Sequence, residues 1–276
     1  KWKVSTPETT IDCSATAYFF AKQITETLNL PVGLVINSWG GSRIESWMTE
    51  ETLSSIQGID IETAKSSKLD VRNRLGCLYD IMLWPVKNYT ARGFLWYQGE
   101  SNIFNYQFYA PMMTAMVQLW RNVWEAPDMP FYYVQIAPYK YENSRNTGAA
   151  LLREAQVEAL KTIPNSGIVP TTDIGDEFCI HPPQKDVVGL RLATLALTKT
   201  YGIRRLPSNG PMMTKVDYAD KKAIVTFDNA PAGLFPTFSE LEGFEIAGAD
   251  KKFYPAKAKI VGRTNTVEVW SEEVAQ

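Results

Sequence analysis

Gln98-Gly99-Glu100-Ser101-Asn102 stands directly after the apolar run Phe94–Tyr97. A serine beside a glycine at the end of a strand has the local shape of a hydrolase nucleophile, and such a hydroxyl needs a neighbouring base. The chain holds one histidine, His181, so any serine–histidine chemistry converges there. Its imidazole titrates close to neutral pH and suits a general base. His181 lies in "DIGDEFCIHPPQK", where the adjoining prolines exclude regular helix at the histidine itself. Asp173 and Asp176 are near enough in sequence to orient the ring. Gly40-Gly41 follows a second apolar run and offers backbone N–H groups to a developing oxyanion; the side-chain amide of Gln98 could do the same. Glu100, acceptor-only when ionised, reads as a partner for an arginine rather than a catalytic group. Ser101 does not sit in the G-x-S-x-G elbow of α/β-hydrolases, because position 103 is isoleucine. Ser38, also at a strand end, is a rival. The residues alone leave the nucleophile open.

The elements that must position these groups alternate along the chain. Ala17, Phe20, Ala21, Ile24 and Leu28 recur at helical spacing and stop at Asn29-Leu30-Pro31. "PVGLVINS" reads as a buried strand running into the Gly40-Gly41 turn. Thr49-Glu50-Glu51 reads as a helix start, and 54–74 as an excursion over the surface. "ARGFLWYQGESN" repeats the strand-then-glycine pattern. The amphipathic "YAPMMTAMVQLWRNVW", the strand "MPFYYVQIAPY", the helix "AALLREAQVEALKTI", the strand "SGIVPTTDIGD" and the helix "DVVGLRLATLALTKTYG" follow. Such alternation predicts a parallel sheet with helices on both faces. In that architecture ligands bind at the carboxyl ends of the strands, where the loops 38–42, 98–102 and 173–181 all fall. Beyond Gly210 short strand-like pieces with turns between them predict a small antiparallel β region.

Composition bounds the function. At 276 residues, 45% hydrophobic and 21% charged, the chain can bury a sizeable core. Its net charge of -2 gives no electrostatic case for nucleic acid or an anionic membrane. No apolar run approaches membrane length. Three cysteines without a C-x-x-C pair argue for neither a zinc site nor a disulfide framework, and no cofactor is expected.

The blocks "PVGLVINSWGGSRIESWM", "RGFLWYQGESN", "WRNVW", "PFYYVQIAP", "LREAQ" and "DIGD…IHPPQK…VGLRLA", in that order, resemble the sialate O-acetylesterase family of SGNH/GDSL-type hydrolases. The resemblance implies an α/β fold: a flavodoxin-like SGNH-hydrolase parallel sheet flanked by helices over 1–206, with a smaller C-terminal antiparallel β region over 207–276. It implies metal-free deacetylation of an O-acetylated sugar by a serine nucleophile, with His181 as base, Gln98 and Gly41 in the oxyanion hole, and an extracytoplasmic location. Trp39, Trp47 and Tyr97 are candidates to wall the sugar. Acetylated xylan or another glycan is an alternative substrate, and a non-catalytic carbohydrate-binding module an alternative role. The family's nucleophile lies in a GQSN-like block after its first strand, and no such block occurs in these 276 residues. The expectation is therefore a chain lacking the family's N-terminal segment, nucleophile included, and its last strands. Relatives in the wider superfamily carry an aspartate three residues before the histidine; here that position is Phe178, which leaves Asp173, Asp176 or a backbone carbonyl to orient the ring.

Overall fold

The structure is a computed structural model that describes residues 2–141, 147–236 and 241–274. It divides into two compact units, Lys1–Ser208 and Asn209–Gln276. In the first unit the α-helices are α1 (Pro7–Thr10), α2 (Ala15–Leu28), α3 (Glu50–Ser54), α4 (Ile61–Lys65), α5 (Tyr109–Val123), α6 (Gly148–Glu158) and α7 (Lys185–Lys199). Its strands are β1 (Phe94–Trp96), β2 (Phe131–Val134) and β3 (Ser166–Val169). They form a parallel sheet in the order β1-β2-β3.

All four residues of β2 are buried, and their alternation divides the core. Phe131 and Tyr133 pack with Met112, Met116 and Trp120 of α5 and Leu152 of α6. Tyr132 and Val134 face the other way, onto Ile24 of α2 and Val188, Leu192 and Leu195 of α7. A strand buried on both faces reads as a continuous apolar run for this reason, and each such side chain contributes about 1.5–3 kcal/mol on leaving water. The local signals at helix ends also act as expected. Asn29 adopts the left-handed conformation, φ 53°, that closes α2. The Thr49 side chain accepts the Thr52 N–H at the start of α3.

One expected strand is different. Residues 31–38 join no ladder, and Val35 and Ile36 are 48% and 41% exposed. β1 pairs with β2 along one edge, and among the described residues no strand occupies its other edge. A run of valine, leucine and isoleucine favours a pleated, half-buried surface; it does not supply the neighbouring strand whose N–H and C=O groups would complete a sheet.

The second unit has its own core. Strands β4 (Met212–Ala219), β5 (Lys222–Asp228), β8 (Lys257–Ile260) and β9 (Thr266–Trp270) form an antiparallel sheet in the order β4-β5-β9-β8. A hairpin joins β6 (Glu245–Ala247) to β7 (Phe253–Pro255). Val225, Val267, Val269 and Ala258 are the centre of its apolar cluster.

Candidate active site

The turn Trp39-Gly40-Gly41-Ser42 closes on a hydrogen bond from the Ser42 N–H to the Trp39 carbonyl, 3.3 Å. Gly41, at the third position, has φ +73°. Turns of this kind need positive φ there, which glycine adopts without strain. The turn is pinned from several sides. Arg72 Nη1 donates to the Gly40 carbonyl at 3.0 Å, and Ser101 Oγ donates to the Gly41 carbonyl at 3.0 Å. The Gly41 N–H takes no hydrogen-bond acceptor among the described residues. Ser101 is thereby a tie between two loops, its hydroxyl hydrogen directed at a backbone carbonyl.

Gln98, buried in the following loop, is engaged on all sides. Its Nε2 donates to the Ser42 carbonyl and to Asn102 Oδ1, both at 2.8 Å, while its Oε1 accepts from the Tyr109 hydroxyl at 2.8 Å. The expectation that Gln98 donates to an oxyanion therefore meets a different arrangement: an amide nitrogen has two hydrogens, and both are used within the protein. Gly99 lets this loop dip against the core. A Cβ there would lie 2.6 Å from Ile136 Cγ2 and 2.7 Å from Leu152 Cδ2.

His181 is exposed, in the loop before α7. The two acids expected to orient it have other partners. Asp173 forms a two-pronged pair with Arg191 of α7, at 2.8 and 2.5 Å. Asp176 Oδ1 accepts the N–H groups of Phe178 and Cys179 at 2.7 and 3.1 Å, fixing the turn ahead of the histidine. Phe178 itself is 78% exposed. A third carboxylate, Glu100 from the other loop, lines the same cleft as His181. Burial raises its pKa, its own backbone N–H opposes that rise, and positive charge at His181 and Lys185 opposes it further. Glu100 forms no arginine pair among the described residues. Sequence reading missed this because the two groups are 81 positions apart and only the fold brings both to one cleft.

The Asp173–Arg191 pair gives a pH signature. The Arg191 hydrogen bonds hold the Asp173 carboxyl below its ordinary 3.8. A folded-state value below the unfolded one means stabilisation that is complete above 3.8 and lost as pH falls through the lower folded value. The Tm difference between the parent and Asp173→Asn is thus expected to be largest near neutral pH and to vanish in strong acid, measured by thermal melts across that range. Both partners are partly solvated, so the effect is modest.

A cleft of about 1240 Å³ collects these groups. Gly41, Gln98, Glu100 and His181 line one part of it, and the open edge of β1 with the unpaired stretch 31–38 lines the rest. The aromatic candidates separate by burial. Trp39 is 42% exposed, whereas Trp47 is 3% exposed; Trp47 donates to Ser42 Oγ at 3.0 Å and stacks edge-on against Trp96. Trp47 is thus a core residue supporting the turn, not a free wall for a ligand. Lys185 Nζ lies 5.1 Å from the centre of the Tyr97 ring. Burial, reinforced by Glu100, pushes the Tyr97 hydroxyl up to about 12. Among the described residues no group of three or more His, Cys, Asp or Glu could hold a metal ion.

The comparison that decides the family spans most of the first unit. Residues 4–198 match the family model of carbohydrate esterases described as sialic acid-specific acetylesterases. The chain belongs to that family. It is 27% identical over 247 residues to the sialate O-acetylesterase of Mus musculus, covering 74% of this chain and 46% of the mouse protein. It is 27% identical over 229 residues to that of Homo sapiens, covering 77% and 44%. A solved carbohydrate acetylesterase from Xanthomonas citri superposes with a TM-score of 0.88 at 33% identity, covering 100% of this chain and 61% of that one. The α/β fold with its parallel sheet is therefore the carbohydrate-esterase fold. The chain spans about half the length of the curated relatives it matches. No helix among the described residues is long and apolar enough to cross a membrane.

Proposed function

We propose that the protein containing this chain is a carbohydrate O-acetylesterase that removes acetyl groups from O-acetylated sialic acid. The observation that carries this reading is the convergence, in one cleft, of the unused Gly41 N–H and the exposed His181 with Glu100 in electrostatic reach. In this reaction a hydroxyl attacks the acetyl carbonyl and His181 takes its proton. The Gly41 N–H holds the oxyanion, an interaction worth about 3–4 kcal/mol where such donors have been removed. His181 returns the proton to the departing sugar oxygen, then activates the water that releases acetate. Glu100 stabilises the imidazolium that forms between these transfers. Trp39 offers an exposed ring in the cleft lining against which a sugar face can pack.

The attacking hydroxyl comes from a segment of the same polypeptide outside residues 1–276, added as a strand along the free edge of β1. Three facts favour this: the unpaired edge, the unpaired stretch 31–38 facing the same cleft, and the tying of Ser101 to the Gly41 carbonyl. Family membership supports an extracytoplasmic location, where such glycans are displayed. The test is acetate release by the full-length protein from 9-O-acetylated sialic acid and from acetylated xylan. Faster release from the sialate is expected. Preference for xylan would move the substrate assignment, and release from neither would remove the esterase reading.

A further inference from the structure

Five consecutive residues, Gly40 to Ile44, are each held by a side chain from elsewhere in the chain. Besides the three ties from Arg72, Ser101 and Gln98 to the carbonyls of Gly40, Gly41 and Ser42, the Arg43 N–H donates to Asn73 Oδ1 at 3.1 Å and the Ile44 N–H donates to Asn102 Oδ1 at 3.0 Å. Asn102 is fully buried and central. The Ile44 N–H is a fixed donor, so Asn102 must present Oδ1 to it; the Ser42 carbonyl is a fixed acceptor, so Gln98 must present Nε2 to it. Those two constraints settle both amide orientations without appeal to the side chains themselves.

Asn102 Nδ2 then points away, at Glu45 Oε2, 2.8 Å, and Asn105 Oδ1, 3.1 Å. Asn105 Nδ2 completes the ring by donating to Glu45 Oε1 at 2.8 Å. Glu45 is 6% exposed and has no lysine or arginine partner among the described residues. A buried carboxylate is costly unless it is hydrogen-bonded. Here its stabilisation comes from two asparagine amides, and it serves in return to orient them.

We infer that Glu45, Asn102 and Asn105 are positioning residues for the oxyanion site: a carboxylate–amide ring that locks the 40–44 loop onto the 98–105 loop and so fixes where the Gly41 N–H points. Gln98 acts within this lock, holding the Ser42 carbonyl. None of the three ring members lines the cleft. The inference rests on the proposed esterase reading for its catalytic consequence, though the lock itself does not.

The polarity of the contact between positions 45 and 102 can be reversed, and that is the test. In Asn102→Asp the new carboxylate still accepts from Ile44 and Gln98 but faces Glu45 Oε2 as a second negative group. In Glu45→Gln the new NH₂ faces the NH₂ of either Asn102 or Asn105, so one contact of the ring is lost. In the double variant the amide nitrogen at position 45 can donate to the second oxygen of the carboxylate at position 102. The amide oxygen at position 45 still accepts from Asn105, Asn105 Oδ1 is left facing the carboxylate without a donor, and the total charge is unchanged. Each single variant in the full-length protein is expected to lower kcat about 10²-fold, the usual loss when reacting groups are displaced by about 1 Å, with KM changed little. The double variant is expected to recover part of the loss seen in Asn102→Asp, because the 45–102 contact is restored while the contact of position 102 with Asn105 Oδ1 is not. Full kcat in folded single variants, or a folded double variant no better than Asn102→Asp, would overturn the inference. If the singles do not fold, the double is compared with the parent, and a kcat still reduced about 10²-fold in a folded double overturns it. Hydrogen exchange at the amides of 41–45 reads the lock without substrate. Fast exchange at Ile44 in the unsubstituted protein overturns the lock. Slow exchange with no acetate release from any ester defeats the esterase reading and leaves the lock standing.

Discussion

His181→Ala in the full-length protein is expected to lower kcat for acetyl-ester hydrolysis by at least about 10³-fold, the upper range for loss of a general base. The fold should be almost untouched. His181 is exposed, and no hydrogen bond to its ring is present among the described residues, so truncation removes neither packing nor a satisfied polar group. Surface substitutions of that kind usually shift stability by no more than about 0.5 kcal/mol. The diagnostic is therefore the pairing of a dead enzyme with an unchanged melting curve, measured by acetate release and thermal unfolding on one preparation. KM should move little, because the proton transfer is made in the transition state and not in the bound ester. A variant with near-parent turnover would take His181 out of the mechanism.

What the sequence made legible was mostly local. Apolar spacing gave α2 and its end at Asn29, and the four-residue apolar run of β2 gave a strand with two buried faces. The family's blocks, in order, gave the fold and the loops that meet in the cleft. What stayed hidden depends on groups far apart in the chain. Whether 31–38 pairs depends on a neighbouring strand, which no local run encodes. Trp39 and Trp47 look alike in sequence; one is an exposed part of the cleft lining and the other is buried against the turn. Asp173 looks free to orient His181 until the fold brings Arg191, 18 positions further on, against both its oxygens. Glu45 gave no signal at all, since a buried carboxylate and a solvated one are the same letter. A hint existed in "GESNIFN": two asparagines three apart after the strand, a spacing that places two short amides on one side of a helical turn.

Residues 1–276 alone are expected to release essentially no acetate, a deficit on the order of 10⁶-fold where a nucleophile is missing, and to resist labelling by a fluorophosphonate. Such probes need a serine activated by an adjacent base. Two of the three candidate serines are otherwise engaged. Ser101 directs its hydroxyl hydrogen to the Gly41 carbonyl, and Ser42 is 5% exposed and accepts from the Trp47 indole. The same structure predicts how activity returns. The free edge of β1 presents unpaired backbone groups beside exposed Val35 and Ile36, an arrangement that invites pairing with another strand or with another molecule. Extending the chain with its native upstream segment, or co-expressing that segment, should restore labelling and protect the amides of Phe94 to Trp96 from exchange together. Labelling that returns without protection would separate the nucleophile from the strand. Robust labelling of 1–276 by itself, mapped by mass spectrometry to Ser38, Ser42 or Ser101, would place the nucleophile inside this chain and overturn its assignment to a segment beyond it.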